Sequence, residues 1–346
     1  MHLPLAHAAP AWAAYARVES APLPLLRDPH LPLVSVITPS YNQGRYLRTT
    51  IESVLTQDYP NLEYLVVDDG SDDESHAILR SYAHEPRLRW LVAGQRSQSN
   101  AINMGWARSR GQLLAWLNSD DTYLPGAIST QVHALLRNPG VAAVYADAQY
   151  INAAGAPLTR IYARPYSPLA LLRLEIPAQP TVFLRREIVA QVGPLSLTRR
   201  YSMDSDYWAR IAHLAPLLHV PALVATYRLH ATSKTVAHTS GFYQEWLDVA
   251  EAFFADPRTP SELQRERPAV LADIYAAMAN LEAQNGQSAQ ALRYLAYAWS
   301  LARLRPRMLK FPLSLVEHHI PLGLAAHFSA AWGWVHRRQH HHNPVL

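Results

Sequence analysis

Two runs of the chain put carboxylates side by side directly after apolar, strand-forming residues: Val66-Val67-Asp68-Asp69-Gly70-Ser71 and Trp116-Leu117-Asn118-Ser119-Asp120-Asp121. Neighbouring carboxylates repel and shift each other's pKa, so a cleft that holds them needs a cation or a donor-rich ligand in compensation. The sequence contains no cysteine, which excludes disulfides, iron–sulfur clusters, thiolate zinc sites and a cysteine nucleophile. With oxygen and nitrogen ligands only, the expected ion is Mg²⁺ or Mn²⁺, which takes one or two carboxylates, waters and the phosphate oxygens of a substrate. The plainer use of either pair is in turns and helix N-caps, where aspartate is common on its own account.

These residues need a scaffold, and the apolar pattern supplies one. Short β-branched runs at Leu33–Thr38, Leu62–Val67, Leu88–Val92, Gln112–Leu117 and Val141–Ala146 read as strands, and helical patterns lie between them. Leu47, Ile51, Val54 and Leu55 recur at helical spacing, Ser71-Asp72-Asp73-Glu74 has capping-box spacing ahead of Ile78, Leu79 and Tyr82, and Ala101–Ala107 reads as a further helix. Strands alternating with helices predict an α/β fold, a mostly parallel sheet flanked by helices, with ligands gathered at the carboxyl ends of the strands. Both acidic runs fall there.

Residues 1–30 are rich in Ala and Pro and read as an extension, 31–239 as the α/β domain, and 240–346 as a helical subdomain with a basic tail. In the last of these, Leu271–Leu281 and Ala289–Leu304 predict two helices joined at Asn285-Gly286, weakly like a single tetratricopeptide hairpin. The chain has 346 residues, 49% hydrophobic and 17% charged, with a net charge of +4. That composition predicts a folded, enzyme-sized protein rather than a disordered one. No apolar run is long enough for a membrane span, and the N-terminus lacks a basic leader, so the expected location is cytoplasmic.

Taken together, Val34-Ser35-Val36-Ile37-Thr38-Pro39-Ser40-Tyr41-Asn42, Ser53-Val54-Leu55-Thr56-Gln57, Val67-Asp68-Asp69-Gly70-Ser71 and Asn118-Ser119-Asp120-Asp121 resemble, in order and spacing, the family 2 glycosyltransferases. The resemblance runs from about Leu33 to Lys234. It implies a GT-A (Rossmann-like) fold, a nucleotide-diphosphate sugar donor, a divalent metal and transfer with inversion. Carried over residue by residue, Pro39, Tyr41 and Asp69 contact the donor's base, Asp120 faces the ribose and metal, and Asp121 is the principal metal ligand. Asp204, in Tyr201-Ser202-Met203-Asp204-Ser205-Asp206-Tyr207-Trp208, is the implied general base, and Asp206 orients its helix. In Tyr227-Arg228-Leu229-His230-Ala231-Thr232-Ser233-Lys234, His230 completes the metal's coordination and Lys234 reaches the diphosphate. Pro177-Ala178-Gln179-Pro180-Thr181-Val182-Phe183, with Arg185-Arg186, resembles the acceptor side. The chain departs from the pattern at Asn118, where the first acid of a triplet is common, and at Asn100 and Ile102.

The resemblance favours a UDP- or dTDP-sugar donor and a glycan or lipid-linked acceptor, with no nucleic-acid partner. Processive synthases of the family carry Gln-x-x-Arg-Trp and membrane spans, so their absence from this sequence implies addition of a single sugar. The tail, with Trp299, Phe311, Phe328, Trp332 and Trp334 among basic residues, either lies on an anionic membrane surface or packs as a helical subdomain. A dinucleotide dehydrogenase would need G-x-G-x-x-G after the first strand, and a sugar nucleotidyltransferase a Gly-rich basic loop; Thr38-Pro39-Ser40-Tyr41-Asn42 is neither. A catalytically inactive nucleotide-sugar-binding module of the same fold is the remaining alternative.

Overall fold

The structure is a computed structural model that describes residues 17–18, 30–94, 97–230 and 239–302. The chain divides into two compact units, Met1–Thr239 and Ser240–Leu346.

The first unit is built on one mixed sheet. Its strands are β1 (Arg17–Val18), β2 (Val34–Ser40), β3 (Leu62–Asp68), β4 (Leu88–Val92), β5 (Leu113–Trp116), β6 (Thr122–Tyr123), β7 (Ala143–Ile151), β8 (Pro157–Ile161), β9 (Phe183–Arg185) and β10 (Leu217–Arg228). They lie in the order β1-β4-β3-β2-β5-β9-β7-β10-β6, with β8 paired to β7. The β4-β3-β2-β5 half is parallel throughout. Beyond it the sheet is mixed, because the three-residue β9 enters antiparallel between β5 and β7 and only β7–β10 is parallel. Within the segment expected to be an extension, Arg17–Val18 adds an antiparallel edge to β4.

Strand alternation sends successive side chains to opposite faces. Val34, Val36, Tyr64, Val66, Leu113 and Ala115 join a core with Leu47, Ile51 and Val54 of α1 (Gly44–Leu55), Ile78 and Leu79 of α2 (Ser75–Ser81), and Ile128, Val132 and Leu135 of α4 (Ala127–Arg137). On the other face, a Cβ placed on Gly105 of α3 (Gln98–Arg108) would lie 2.6 Å from Ile37, so the missing side chain lets α3 sit directly on β2. Trp116 there stacks on Trp208 of α7 (Met203–Ile211), centroids 5.2 Å apart, and meets Trp106 edge-on. Two shorter helices, α5 (Pro168–Leu172) and α6 (Arg186–Val192), complete the unit.

The capping box expected at Ser71 is not formed. Helix α2 starts four residues later, at Ser75, whose N–H is taken by Asp73 Oδ1 at 2.9 Å, while Asp73 Oδ2 takes the Gly44 N–H at 2.8 Å. Asp73 thus serves the starts of two helices at once, a use of carboxylate charge that both N-termini favour.

At the opposite end of the sheet, the Glu63 carboxylate is buried between Ser35 Oγ (2.6 Å), the Arg110 N–H (2.7 Å) and the guanidinium groups of Arg89 (2.8 Å) and Arg110 (3.0 Å). Burial alone would raise its pKa, but these hydrogen bonds and the Arg89 charge hold it below the ordinary glutamate value. A depressed folded-state pKa adds stability that is present above the unfolded value and lost as pH falls through the folded one. Glu63→Gln is therefore expected to lower stability by about 3 kcal/mol near neutral pH, since it strands buried donors. The gap between variant and wild type should begin to narrow as pH falls past the ordinary glutamate value and close as it passes the lower folded-state one, as thermal melts across pH would show.

The second unit comprises α8 (Thr239–Ala255), α9 (Ser261–Gln264), α10 (Arg267–Gln284) and α11 (Ser288–Leu301). The α10–α11 hairpin turns at Gly286, φ 75°, and the Gln287 N–H returns to the Glu282 carbonyl at 2.8 Å, the closing bond of a glycine helix stop. Ala272, Ala276 and Ala298 bring the two helices close. The tail from 303 onward lies outside the described residues, and no helix among those described is long and apolar enough to cross a membrane.

Candidate active site

The chain runs β2, β3, β4 toward one edge of the sheet and then returns to the other side of β2 for β5. That reversal makes the carboxyl ends of β2 and β5 the switch point of the parallel half, where crevices open for ligands. The two strands part company there: their pairing ends at Ile37 opposite Trp116, while β2 stays paired with β3 as far as Ser40 and Asp68.

On the β2–β3 side, Asn42 adopts a left-handed conformation (φ 51°) that asparagine tolerates. Its N–H donates to Ser71 Oγ at 2.9 Å and its Oδ1 accepts the Asp72 N–H at 2.9 Å, tying the two loops together. Asp68 is wholly buried and accepts hydrogen bonds from Gly70 N–H, Ser71 N–H, Ser71 Oγ and His76 Nε2 at 2.5–3.1 Å. It locks the turn. Its neighbour Asp69 donates its N–H to the Ser40 carbonyl at 2.7 Å and accepts the Ser97 N–H on its carboxylate. Pro39 is buried in β2 opposite Val67, and Tyr41 stands at the rim, 39% exposed.

On the β5 side, the acidic loop runs straight into β6, which pairs with the end of β10 (Tyr123 with Ala225, Thr122 with Thr226). That short pairing carries Arg228 and His230 back to the two aspartates. His230 Nε2 lies 2.9 Å from Asp120 Oδ2, with side-chain exposures of 8% and 19%. Asp121 turns the other way. It is 1% exposed, its Oδ1 accepts the Arg228 N–H at 2.8 Å, and its Oδ2 faces the Asn118 amide at 3.4 Å. Burial, with the Asp120 charge beside it, raises the Asp121 carboxyl well above the ordinary aspartate value.

Helix α7 presents the third acidic pair. Asp206 is held in ion pairs to Arg210 (2.9 Å) and Arg199 (3.8 Å). Asp204, partly exposed in the first turn, accepts the Ser205 N–H at 2.7 Å. Two contacts bring this helix start to the loops above: Ser99 Oγ to Met203 Sδ at 2.9 Å, and the Trp116–Trp208 stack. Since Ser97 touches Asp69 and Gln98 Nε2 donates to Asn118 Oδ1 at 2.8 Å, the first turn of α3 links all three acidic segments.

Two further features of the site come from contacts between segments far apart in the chain. Asn118 Nδ2 donates to Gln179 Oε1 at 3.0 Å, and Gln179 Nε2 to the Trp116 carbonyl at 2.8 Å, so a chain of amides replaces the expected first acid of the triplet. An aspartate at 118 would set an oxygen against Gln179 Oε1, which accounts for the departure at this position. The second is Arg228, whose Nε donates to the Asp120 carbonyl at 2.8 Å and whose guanidinium lies 4.7 Å from the Tyr46 ring centre. Lys234 lies outside the described residues. Among the described residues no three carboxylate or imidazole groups converge on a metal-sized point. Asp120 and His230 nevertheless fit as an oxygen and a nitrogen ligand to a hard cation whose remaining positions go to phosphate and water.

Residues 35–193 match the description Glycosyl transferase family 2. They form a family 2 glycosyltransferase domain. The glycosyltransferase domain and its surroundings are 29% identical over 215 residues to an uncharacterized glycosyltransferase of Rickettsia prowazekii, covering 59% of this chain and 66% of the relative. They are 35% identical over 193 residues to an O-antigen biosynthesis protein of Myxococcus xanthus, covering 54% of this chain and 15% of that one. The chain spans about a third of the length of further curated relatives from Rickettsia. In three dimensions the chain resembles a mannosyltransferase from Pyrobaculum calidifontis solved with GDP-Man and Mn²⁺, with a TM-score of 0.59 at 18% identity over 96% of this chain and 92% of that one. This likeness is one of fold, and the fold is the GT-A arrangement expected from the sequence.

Proposed function

We propose that this glycosyltransferase moves one sugar from a nucleotide-diphosphate donor to a hydroxyl of a glycan or lipid-linked acceptor, with inversion, in the building of a cell-surface polysaccharide on the cytoplasmic side. The observation that carries the reading is the first turn of α3, where Ser97, Gln98 and Ser99 contact Asp69, Asn118 and Met203 and so gather the Asp69 loop, the loop of the Asp120–His230 pair and the start of α7. Asp69 and the Tyr41 rim take the donor's base, with Pro39 shaping the strand end beneath it. Mg²⁺ or Mn²⁺ held by Asp120 and His230 would supply Lewis-acid stabilisation of the charge that grows on the departing diphosphate. In this reading Asp121, expected from the sequence to be the principal ligand, has a supporting part, since it is buried and its Oδ1 accepts the Arg228 N–H. Asp204 takes the proton of the acceptor hydroxyl, whose oxygen bonds to the anomeric carbon as the nucleoside diphosphate leaves with the electrons of the broken bond. A relative in O-antigen biosynthesis and a fold neighbour that binds GDP-Man support the substrate class.

The test is release of nucleoside diphosphate from a panel of UDP-, dTDP-, GDP- and CDP-sugars, with Mn²⁺ or Mg²⁺ and water as acceptor. Metal-dependent release from one donor is the expected result, with a uridine or thymidine donor favoured. Binding of a donor without any turnover, on adding a panel of glycan and lipid-linked acceptors, would replace the enzyme with a binding module. Binding of no donor at all would sink the reading.

A further inference from the structure

Helix α1 carries a polar stripe that bonds the acidic loop and the segment after it. Tyr46, Thr50, Ser53 and Gln57 recur at i, i+4, i+7 and i+11, one face of the helix and its end. Ser53 Oγ accepts the Tyr123 N–H at 3.1 Å, and Gln57 donates to the Leu124 carbonyl at 3.0 Å and accepts the Ile128 N–H at 3.3 Å. Thr50 Oγ1, fully buried, lies 2.8 Å from the Asp121 carbonyl and 2.9 Å from that of Ser119, so its single proton is shared between the residues on either side of Asp120. The Asp120 carbonyl between them takes Arg228 Nε. One turn further toward the start of α1, the Tyr46 ring lies 5.2 Å from the ring centre of His230.

We propose that Thr50 is a positioning residue for Asp120, acting through the backbone on either side of it, with Tyr46 on the same helix face doing the equivalent for His230. Packing of α1 is already served by Leu47, Ile51 and Val54 on its apolar face, and burying a hydroxyl costs free energy unless it is bonded. Thr50 offsets that cost by bonding the two carbonyls on either side of Asp120, those of Ser119 and Asp121. With the backbone of 119–121 fixed from α1 and from β10, the Asp120 side chain keeps its setting against His230 when a cation and a diphosphate arrive. The inference rests on the functional reading above, and its test separates the two.

Thr50→Val keeps the side-chain shape and removes the donor; Thr50→Ser keeps the donor. Each is compared with wild type by thermal melting, by hydrogen exchange across 118–124, and by binding of Mn²⁺ in the presence of UDP, dTDP, GDP or CDP, followed by the metal's paramagnetic resonance. In Thr50→Val, exchange should rise in 118–124 and Mn²⁺ affinity should fall about tenfold, the scale of losing an outer support of a metal ligand. Thr50→Ser should stay within about twofold of wild type, since it restores the bond. A folded Thr50→Val protein that exchanges and binds Mn²⁺ like wild type would overturn the role of Thr50 alone. Wild type that takes up no Mn²⁺ with any of the four nucleotides would overturn the functional reading and this role with it. Should Thr50→Val not fold, Thr50→Ala read by the same three measurements decides.

Discussion

Replacing Asp120 by alanine is expected to cut donor turnover by about 10²- to 10³-fold, the scale lost when a group that stabilises developing charge is removed. Replacing its neighbour Asp121 by asparagine should cost only about tenfold. The contrast comes from where the two carboxylates point. Asp120 is partly exposed beside His230, whereas Asp121 is buried and bonded to the Arg228 N–H. Asparagine at 121 keeps an oxygen for that N–H and dispenses with a charge that burial disfavours. Both variants should melt cooperatively, so the readout is nucleoside diphosphate release with the best donor and added Mn²⁺, together with Mn²⁺ affinity. If Asp121→Asn loses activity as completely as Asp120→Ala while folding normally, Asp121 is the ligand and the assignment reverses. His230→Ala should fall between the two and share the weakened Mn²⁺ affinity, because its partner carboxylate remains.

Why this contrast needed a structure is a matter of turn geometry. Adjacent residues in a tight loop send their side chains in different directions, and spacing along the chain does not say which one faces the crevice. The Asn118 carbonyl accepts the Asp121 N–H at 3.1 Å, closing a turn that aims Asp120 outward and Asp121 inward. The parallel strands, by contrast, were legible because each is an apolar run bounded by polar turns. The expected Leu88–Val92 strand coincides with β4, and Leu62–Val67 falls one residue short of β3. The strand β10 was not read, since Leu217–Arg228 mixes His219, Pro221 and Thr226 with its apolar residues and is only half covered. Likewise β6 is two residues long, too short for any alternation to register. Yet these two strands bring Arg228 and His230 to the acidic loop, which no local pattern encodes. The Ser53–Gln57 motif shows the converse: its residue types stood out in the sequence, and only the fold reveals that they bond the segment after Asp121.

Asp204→Asn is expected to lower sugar transfer by about 10² to 10⁴-fold, the contribution of a positioned general base, while leaving donor affinity close to that of wild type. The amide is the right size to keep the Ser205 N–H bond at the helix start, so the loss should be chemical rather than structural. Asp206→Asn provides the control from the same turn. It gives up ion pairs to Arg210 and Arg199, costs about 1 kcal/mol of stability as a partly exposed pair does, and should retain most activity. The measurement is kcat and KM for transfer to an accepted hydroxyl, followed over pH. Wild type should lose rate on the acidic side as the base is protonated, and Asp204→Asn should lack that limb because no carboxylate remains to titrate. A variant that keeps the acidic limb, or an Asp206→Asn enzyme that loses kcat as heavily as Asp204→Asn, would move the base to another residue. Donor affinity supplies the internal check, since a base acts on the acceptor's proton and has no part in holding the nucleotide at Asp69 and Asp120.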